Sequence, residues 1–139
     1  MKILINIFFI LLVLIACSKK EAVKFEAFSP EAFAYDIGDS WEVNATINVR
    51  GFAKSEKDDQ FLVSLSYKVD LINPEGETRK DIFSDFKEVN EKEINDVQLE
   101  AQFELDSSSV HGKYKLVLYI EDNISNNSIS TEIEFNLED

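Results

Sequence analysis

The chain has 139 residues, of which 27 are acidic and 14 are basic, and its formal net charge at pH 7 is −13. A chain this acidic is repelled by nucleic acid and by anionic lipid headgroups, so neither is predicted to bind the folded part directly. Eleven Phe, four Tyr and one Trp supply apolar surface for a core, which excludes a disordered chain.

The first sixteen residues have the pattern of a secretory signal peptide. Lys2 precedes an apolar run from Ile3 to Ala16 that only Asn6 interrupts. A helix of about fourteen residues rises roughly 21 Å, which is short of the roughly 30 Å hydrocarbon core of a bilayer. Residues 1–16 are therefore predicted to be a helical signal peptide and not a permanent membrane span.

The signal peptide ends in a motif of four residues, Leu14-Ile15-Ala16-Cys17. This motif resembles the lipobox of bacterial lipoproteins, in which an aliphatic residue, a tolerant position and a small residue precede a cysteine. The resemblance implies that a peptidase recognises Leu14, Ile15 and Ala16, that it cuts before Cys17, and that Cys17 carries lipid through a thioether. A single cysteine cannot form an intramolecular disulfide, which agrees with a thiol used for lipidation. The alternative is that Cys17 is only a small residue at the end of an ordinary signal peptide.

Cleavage before Cys17 would leave 123 residues, which suits a single domain. Residues 17–23 are predicted to be a lipidated tether, and residues 24–139 a single folded domain, whose class the following segments indicate. Residues 18–22 would extend over roughly 17 Å, so the domain would lie close to the lipid surface. In enteric lipoproteins a residue other than Asp after the cysteine favours the outer membrane, and Ser18 agrees with it. The predicted location is the cell envelope, in the outer membrane in preference to the inner one.

The sequence predicts two strands at the start of the domain, the first kinked at a proline and the second marked by alternating apolar and polar residues. Pro30 interrupts an apolar segment that ends at Phe33, and an edge strand kinked at Pro30 is predicted. A turn is predicted at residues 37–39. From Trp41 to Val49 apolar and polar residues alternate, which predicts a strand with one buried and one solvated face.

The middle of the domain contains a second alternating strand and a hairpin turn. A charged loop is predicted at residues 54–60, and a strand at residues 61–71. Residues 73–76 have the sequence Asn-Pro-Glu-Gly, in which proline presets φ and glycine accepts a positive φ. A hairpin partner is predicted at residues 77–83. Residues 85–96 are charge-rich, and their sequence fits either an irregular loop or a weak edge strand.

Three more alternating segments complete the domain, at residues 97–105, 114–120 and 129–137. Turns rich in Asp, Asn and Ser separate them. The count is seven strands with no long amphipathic helix. The predicted fold class is therefore all-β, a seven-stranded antiparallel β-sandwich of two sheets.

Residues 33–137 resemble an immunoglobulin-like or fibronectin-type-III-like bacterial domain. The most specific element is Gly112-x-Tyr114-x-Leu116, which looks like a tyrosine corner, with Leu116 where antibody domains carry a cysteine. The chain has no disulfide pair, and Trp41 falls on the second strand instead of the third. The resemblance therefore does not extend to the antibody lineage, and Tyr114 could instead be an ordinary inward-facing aromatic residue.

The sequence contains no catalytic motif, and no catalytic, cofactor-binding or metal-ligating residue is predicted. Its one histidine, His111, is predicted to be an exposed loop residue, and one histidine cannot build a zinc or iron site. The acidic loops at residues 56–59 and 121–123 offer oxygen ligands for calcium, but neither has the spacing of an EF-hand. We therefore expect a protein that is not an enzyme.

The predicted function is that of a lipid-anchored, non-enzymatic interaction module, an accessory subunit of an envelope complex with a protein partner. Membrane contact is predicted through the lipid on Cys17. Two alternatives remain, a recognition domain for a glycan or small ligand and an inhibitor of an envelope protease. Exposed aromatic residues grouped at one end of the sandwich would favour ligand recognition, whereas a flat, apolar edge strand would favour a protein partner.

Overall fold

The computed structural model describes residues 21–138. The predicted signal peptide, the lipobox residues Leu14, Ile15 and Ala16, and the lipidation site Cys17 lie outside the described residues. Within residues 21–138 no helix has the length and apolar character needed to cross a bilayer.

The described residues form eight strands in two antiparallel sheets. The strands are β1 (Glu26–Asp36), β2 (Ser40–Arg50), β3 (Ser55–Lys57), β4 (Gln60–Ile72), β5 (Thr78–Glu91), β6 (Asp96–Asp106), β7 (Gly112–Asp122) and β8 (Ser128–Leu137). One sheet has the order β1-β2-β6, and the other contains β5-β4-β7-β8 with the short β3 added to β4. The prediction of an all-β, antiparallel, immunoglobulin-like sandwich is confirmed.

In the middle of the chain the structure contains one more strand than predicted, and it shows the conformation of the segment that the sequence did not decide. The segment predicted as a charged loop contains the three-residue strand β3, so the strands number eight instead of seven within the described residues. The segment left open at residues 85–96 belongs largely to β5, which continues the predicted hairpin partner as one strand. Strand β5 pairs only with β4, whereas constant-type immunoglobulin domains pair the equivalent strand with the other sheet.

The inward faces of the two sheets form one hydrophobic core. On β2 every second residue from Trp41 to Val49 is buried, and the residues between them are half-buried on the outer face. Strands β4 and β7 alternate in the same way, with Val63, Leu65 and Leu116 fully buried. Each such side chain contributes about 1.5–3 kcal/mol to folding through the removal of apolar surface from water. The sides of the sandwich close where β1 lies near β8 and β5 near β6.

A β-bulge interrupts β1 at the predicted kink. The register with β2 shifts between Phe28 and Glu31, and Ser29 has a φ of 51°. The bulge adds one residue to β1, so side chains that strict alternation would place on opposite faces come to share a face. Phe28 and Phe33 consequently both lie on the outer face of the sheet, beside Asn48 and Asn44.

Tyr114 forms the predicted tyrosine corner. Its hydroxyl donates a hydrogen bond to the carbonyl oxygen of Val110 at 2.8 Å. Its ring is buried and stacks on Phe135 with 5.3 Å between the centroids. Gly112, at a φ of 133°, lies against Pro74 of the β4–β5 turn, where an added Cβ would be 3.2 Å from Cγ of the proline. Burial raises the pKa of Tyr114, which keeps the hydroxyl a proton donor at neutral pH.

The substitution Tyr114→Phe tests the corner, because it removes this hydrogen bond and leaves the ring in place. We expect the free energy of unfolding to fall by about 1 kcal/mol, as for the loss of one intramolecular hydrogen bond. Urea denaturation of the purified protein measures it. Tyr119→Phe is the matched control, because it removes the hydroxyl of an exposed ring on the same strand. Equal unfolding midpoints for Tyr114→Phe and the wild type would contradict the corner.

Candidate functional site

A groove lies across the outer face of the β5-β4-β7-β8 sheet, and its volume is about 870 Å³. We call it the outer groove. The outward-facing side chains that line it are Ser66, Lys68, Ser84, Phe86, Tyr119, Glu121, Ser128 and Ser130. It is open to solvent along the sheet.

The strand register arranges these side chains in two rows. One row runs Phe86, Ser66, Glu121, Ser128 from β5 to β8, and the other runs Ser84, Lys68, Tyr119, Ser130. Neighbouring strands are about 4.8 Å apart, so each row crosses roughly 14 Å of sheet. The site thus combines residues from four strands that are distant in sequence.

Two aromatic rings project from a floor of small side chains. Phe86 is 64% exposed and Tyr119 is 40% exposed, on different rows and different strands. Serine side chains are short, so the rings stand above their neighbours and a depression remains between them. Serine hydroxyls both donate and accept hydrogen bonds, which suits a surface that binds polar groups beside apolar ones.

Lys68 supplies the positive charge of the groove. Its Nζ atom lies 3.2 Å from Oδ1 of Asp81 and 5.4 Å from the centre of the Tyr119 ring. The hydrogen bond to Asp81 and the charge of that carboxylate raise the pKa of Lys68, so it is cationic at neutral pH. An exposed ion pair of this kind adds little stability, but here it holds the ammonium group over the aromatic ring.

The turn between β7 and β8 is hydrogen-bonded to the groove residue Ser66. The side-chain amide of Asn123 donates to the hydroxyls of Ser64 and Ser66, each at 2.9 Å. The backbone N–H of Asn123 also donates to the carbonyl oxygen of Ser64 at 3.0 Å. These bonds fix the turn against β4 and orient the Ser66 hydroxyl at the groove floor.

Asp122 holds this turn in place from inside the sandwich. The residue is buried, and its carboxylate accepts hydrogen bonds from the backbone N–H groups of Ala53, Ile124 and Ser125 and from the hydroxyl of Ser125. Burial alone would raise the pKa of Asp122, but the hydrogen bonds outweigh it, and the pKa is lowered. Because Ala53 follows β2, the carboxylate also ties the turn to the other sheet.

His111 is exposed in the turn before β7, as predicted, and its ring packs edge-on against Trp41 with 5.7 Å between the centroids. Residues 21–138 contain no group of three or more His, Cys, Asp or Glu side chains that could hold a metal ion. In the acidic loop at residues 121–123 the Asp122 carboxylate already accepts four hydrogen bonds from the protein.

The outer groove is not predicted by the sequence pattern. Phe86 lies in residues 85–96, whose sequence fits either a loop or an edge strand. Tyr119 lies on a strand that is predicted from its buried apolar residues, and its own side chain points outward. The available signal was serine at alternate positions, at Ser64 and Ser66 on β4 and at Ser128 and Ser130 on β8. Only the pairing of the strands shows that these positions meet.

The chain is similar in structure to solved proteins with which it shares little sequence. No protein-family model and no curated protein matches the sequence. Among solved structures, the chain is similar to a family 123 glycoside hydrolase from Clostridium perfringens, with 10% identity and a TM-score of 0.45 over 77% of this chain and 22% of the hydrolase. It is also similar to the Northeast Structural Genomics Consortium target SoR45, with 12% identity and a TM-score of 0.40 over 85% and 87% of the two chains. The chain thus corresponds to less than a quarter of the hydrolase, and neither similarity assigns a function.

Asp122→Asn tests the buried carboxylate, because it removes the charge and places an amide N–H₂ against hydrogen-bond donors. We expect the free energy of unfolding at pH 7 to fall by about 2 kcal/mol. Since folding lowers the pKa of Asp122, its contribution is complete above the unfolded pKa and is lost as the pH falls below about 4. The difference between the wild type and Asp122→Asn should therefore shrink between pH 6 and pH 2.

Urea denaturation at several pH values measures this difference. Glu121→Gln is the matched control, because it neutralises an exposed carboxylate beside Asp122 on the same strand. If Asp122→Asn were no less stable than Glu121→Gln at pH 7, the role of the buried carboxylate would be refuted.

Proposed function

We propose that the protein is a non-enzymatic interaction module of the cell envelope, anchored by lipid on Cys17, and that it binds a protein partner through the outer groove. It would serve as an accessory subunit of an envelope complex. The observation that supports this most directly is the pair of exposed rings, Phe86 and Tyr119, among serines on a rigid sheet.

The composition of the outer groove suits protein recognition. Binding surfaces of antibodies are rich in tyrosine, which provides a large rigid contact, and in serine and asparagine, which provide adaptable hydrogen bonds. The groove combines Tyr119 and Phe86 with four serines and the neighbouring Asn123. A ring as exposed as Phe86 is the kind of side chain that anchors an interface when it enters a pocket of the partner.

The edge strands support binding through the sheet face in preference to strand addition. Strand β5 carries charged side chains such as Lys80, Asp85 and Lys87 along its free edge, and strand β1 is interrupted by its bulge at Pro30. Charges and bulges on an edge oppose pairing with a further strand. At these two edges a partner is therefore expected to contact side chains of the sheet face, as in the outer groove, and not the backbone of the edge strand.

The chemistry around the groove is consistent with a non-enzymatic role. Nucleophilic catalysis needs a hydroxyl or thiol beside a base. The Ser66 hydroxyl lies in the same row as Glu121, but within residues 21–138 its hydrogen bonds are to the side-chain amide of Asn123, which is not a base, and not to that carboxylate. The one histidine, His111, packs against Trp41 of the other sheet.

The proposed anchor determines where the module would meet its partner. A tether of residues 17–23 would hold the domain near the membrane, and the net charge of −13 would keep the folded part off anionic headgroups. Several acyl chains on Cys17 would make the attachment stable. The partner is thus expected among proteins of the same envelope membrane.

A photo-crosslinking amino acid placed in the full-length protein in intact cells tests the groove. With p-benzoylphenylalanine in place of Phe86, and separately of Tyr119, we expect one and the same envelope protein to be captured. The same amino acid in place of Tyr35, an exposed aromatic residue on the opposite sheet, is the matched control and should not capture it. Equal capture from Tyr35, or different proteins from Phe86 and Tyr119, would contradict the groove as the interface.

Affinity measurements with the captured partner complete the test. Phe86→Ala should weaken binding by tenfold or more, as for the loss of an aromatic anchor that enters a pocket of the partner, whereas Tyr35→Ala should leave it unchanged. Cys17→Ala should abolish capture in cells while the purified variant still binds the partner. That combination separates the contribution of the anchor from that of the groove.

A further inference from the structure

The outer face of the β1-β2-β6 sheet carries a repeated set of side chains. Two rows cross its three strands with the same composition, Phe28-Asn48-Gln98 and Phe33-Asn44-Gln102, and the row between them is Glu31-Thr46-Glu100. In each of the two matching rows an aromatic ring on β1 lies beside an asparagine on β2 and a glutamine on β6. We call these six residues the aromatic-amide face, and the outer groove lies on the opposite side of the sandwich.

The bulge in β1 creates this repeat. Phe28 and Phe33 are an odd number of residues apart, so in a regular strand their side chains would point to opposite faces. The extra residue at Ser29 and Pro30 restores Phe28 to the face that carries Phe33 and Tyr35. Without the bulge Phe28 would point toward the core, and only one of the two rows would contain an aromatic ring.

The aromatic side of the face is held in position by its neighbours. Phe33 and Tyr35 are 42% and 53% exposed, and their rings meet edge to face with 5.3 Å between the centroids. The guanidinium of Arg50 lies 4.9 Å from the centre of the Phe28 ring and is itself bonded to Glu26. The rings are thus positioned before any ligand binds, which reduces the entropy cost of binding.

The asparagine and glutamine side chains of this face have donors and acceptors that are available to a ligand. The Asn44 amide donates to Oε1 of Glu42 at 2.9 Å, which orients it. Among residues 21–138, the side-chain amides of Asn48, Gln98 and Gln102 have no protein hydrogen-bond partner. Each amide offers two donors and an acceptor, which is the combination that recognises hydroxyl groups.

A ligand for this face needs apolar patches that stack on aromatic rings and hydroxyls that meet amides. Saccharide rings have both. The net charge of −13, together with Glu42 and Glu100 on the same face, repels anionic polysaccharides and leaves neutral ones. Asn44 and Asn48 are four residues apart along β2, or about 13 Å, so a ligand that contacts both rows must be longer than a single sugar.

We propose that the aromatic-amide face binds a linear, neutral oligosaccharide that lies along β1. The rings of Phe28 and Phe33 stack on sugar faces, and the amides of the two rows bind their hydroxyls. This site is separate from the outer groove, and it does not depend on the function proposed for that groove.

Titration calorimetry of the full-length protein in detergent micelles tests the proposal. The probes are linear neutral hexasaccharides of glucose, mannose, xylose, galactose and N-acetylglucosamine, together with the corresponding monosaccharides and an anionic galacturonate hexamer. We expect at least one neutral hexasaccharide to bind, its monosaccharide to bind at least about tenfold more weakly, and the anionic hexamer not to bind.

Matched variants locate the binding site. Phe33→Ala, and separately Asn48→Ala with Gln98→Ala, should each weaken hexasaccharide binding about tenfold. Phe86→Ala on the opposite sheet should not change it. Circular dichroism and the urea midpoint of each variant establish that it is folded.

The proposal is overturned if none of the neutral hexasaccharides binds, if the anionic hexamer binds as well as the neutral ones, or if both row variants bind like the wild type. Loss of binding in Phe86→Ala but not in Phe33→Ala would also overturn it, because saccharide binding would then belong to the outer groove. Partner capture through Phe86 is a separate measurement, so the two proposals fail independently.

Discussion

The burial of one face of each sheet against the other is the constraint on which this structure depends. Apolar side chains at alternate positions of β2, β4 and β7 fill the space between the sheets, and the chain has few other ways to remove them from water. Because alternate residues of a strand point to opposite faces, burying one set necessarily displays the other. The two outer faces are therefore free to carry binding residues without loss of the core.

Buried polar groups at the two ends of β7 fix the conformation of the turns that adjoin the core. The hydroxyl of Tyr114 at the start of β7 and the carboxylate of Asp122 at its end are both bonded to backbone outside the strand. A buried polar group is tolerated only when it is hydrogen-bonded, so each of them restricts the conformation of the adjacent turn. The turn held by Asp122 includes Asn123, whose side-chain amide donates a hydrogen bond to the hydroxyl of Ser66 at the floor of the outer groove.

The two outer faces differ in chemistry, and the difference follows from their side chains. The larger sheet presents isolated rings among serines and an ammonium group that is fixed by Asp81. The smaller sheet presents two rows, each with a phenylalanine, an asparagine and a glutamine, on either side of the row Glu31-Thr46-Glu100. The net charge of −13 disfavours anionic ligands at both faces. Together the proposals describe a lipid-anchored adaptor in which one face meets an envelope protein and the other a neutral saccharide.

The sequence by itself determined the strands with strong alternation and the sandwich class, because these depend on neighbouring residues. It left Tyr114 open between a tyrosine corner and an inward-facing aromatic residue, and the hydrogen bond to Val110 in the structure decided for the corner. The lipobox at Cys17 remains a prediction from the sequence alone. Only the tertiary structure decided that β5 is one long edge strand, that the bulge at Ser29 brings Phe28 to the face of Phe33, and that Ala53 reaches Asp122. These features depend on strand register and on contacts between residues far apart in the chain, which a local pattern of apolar and polar residues does not specify.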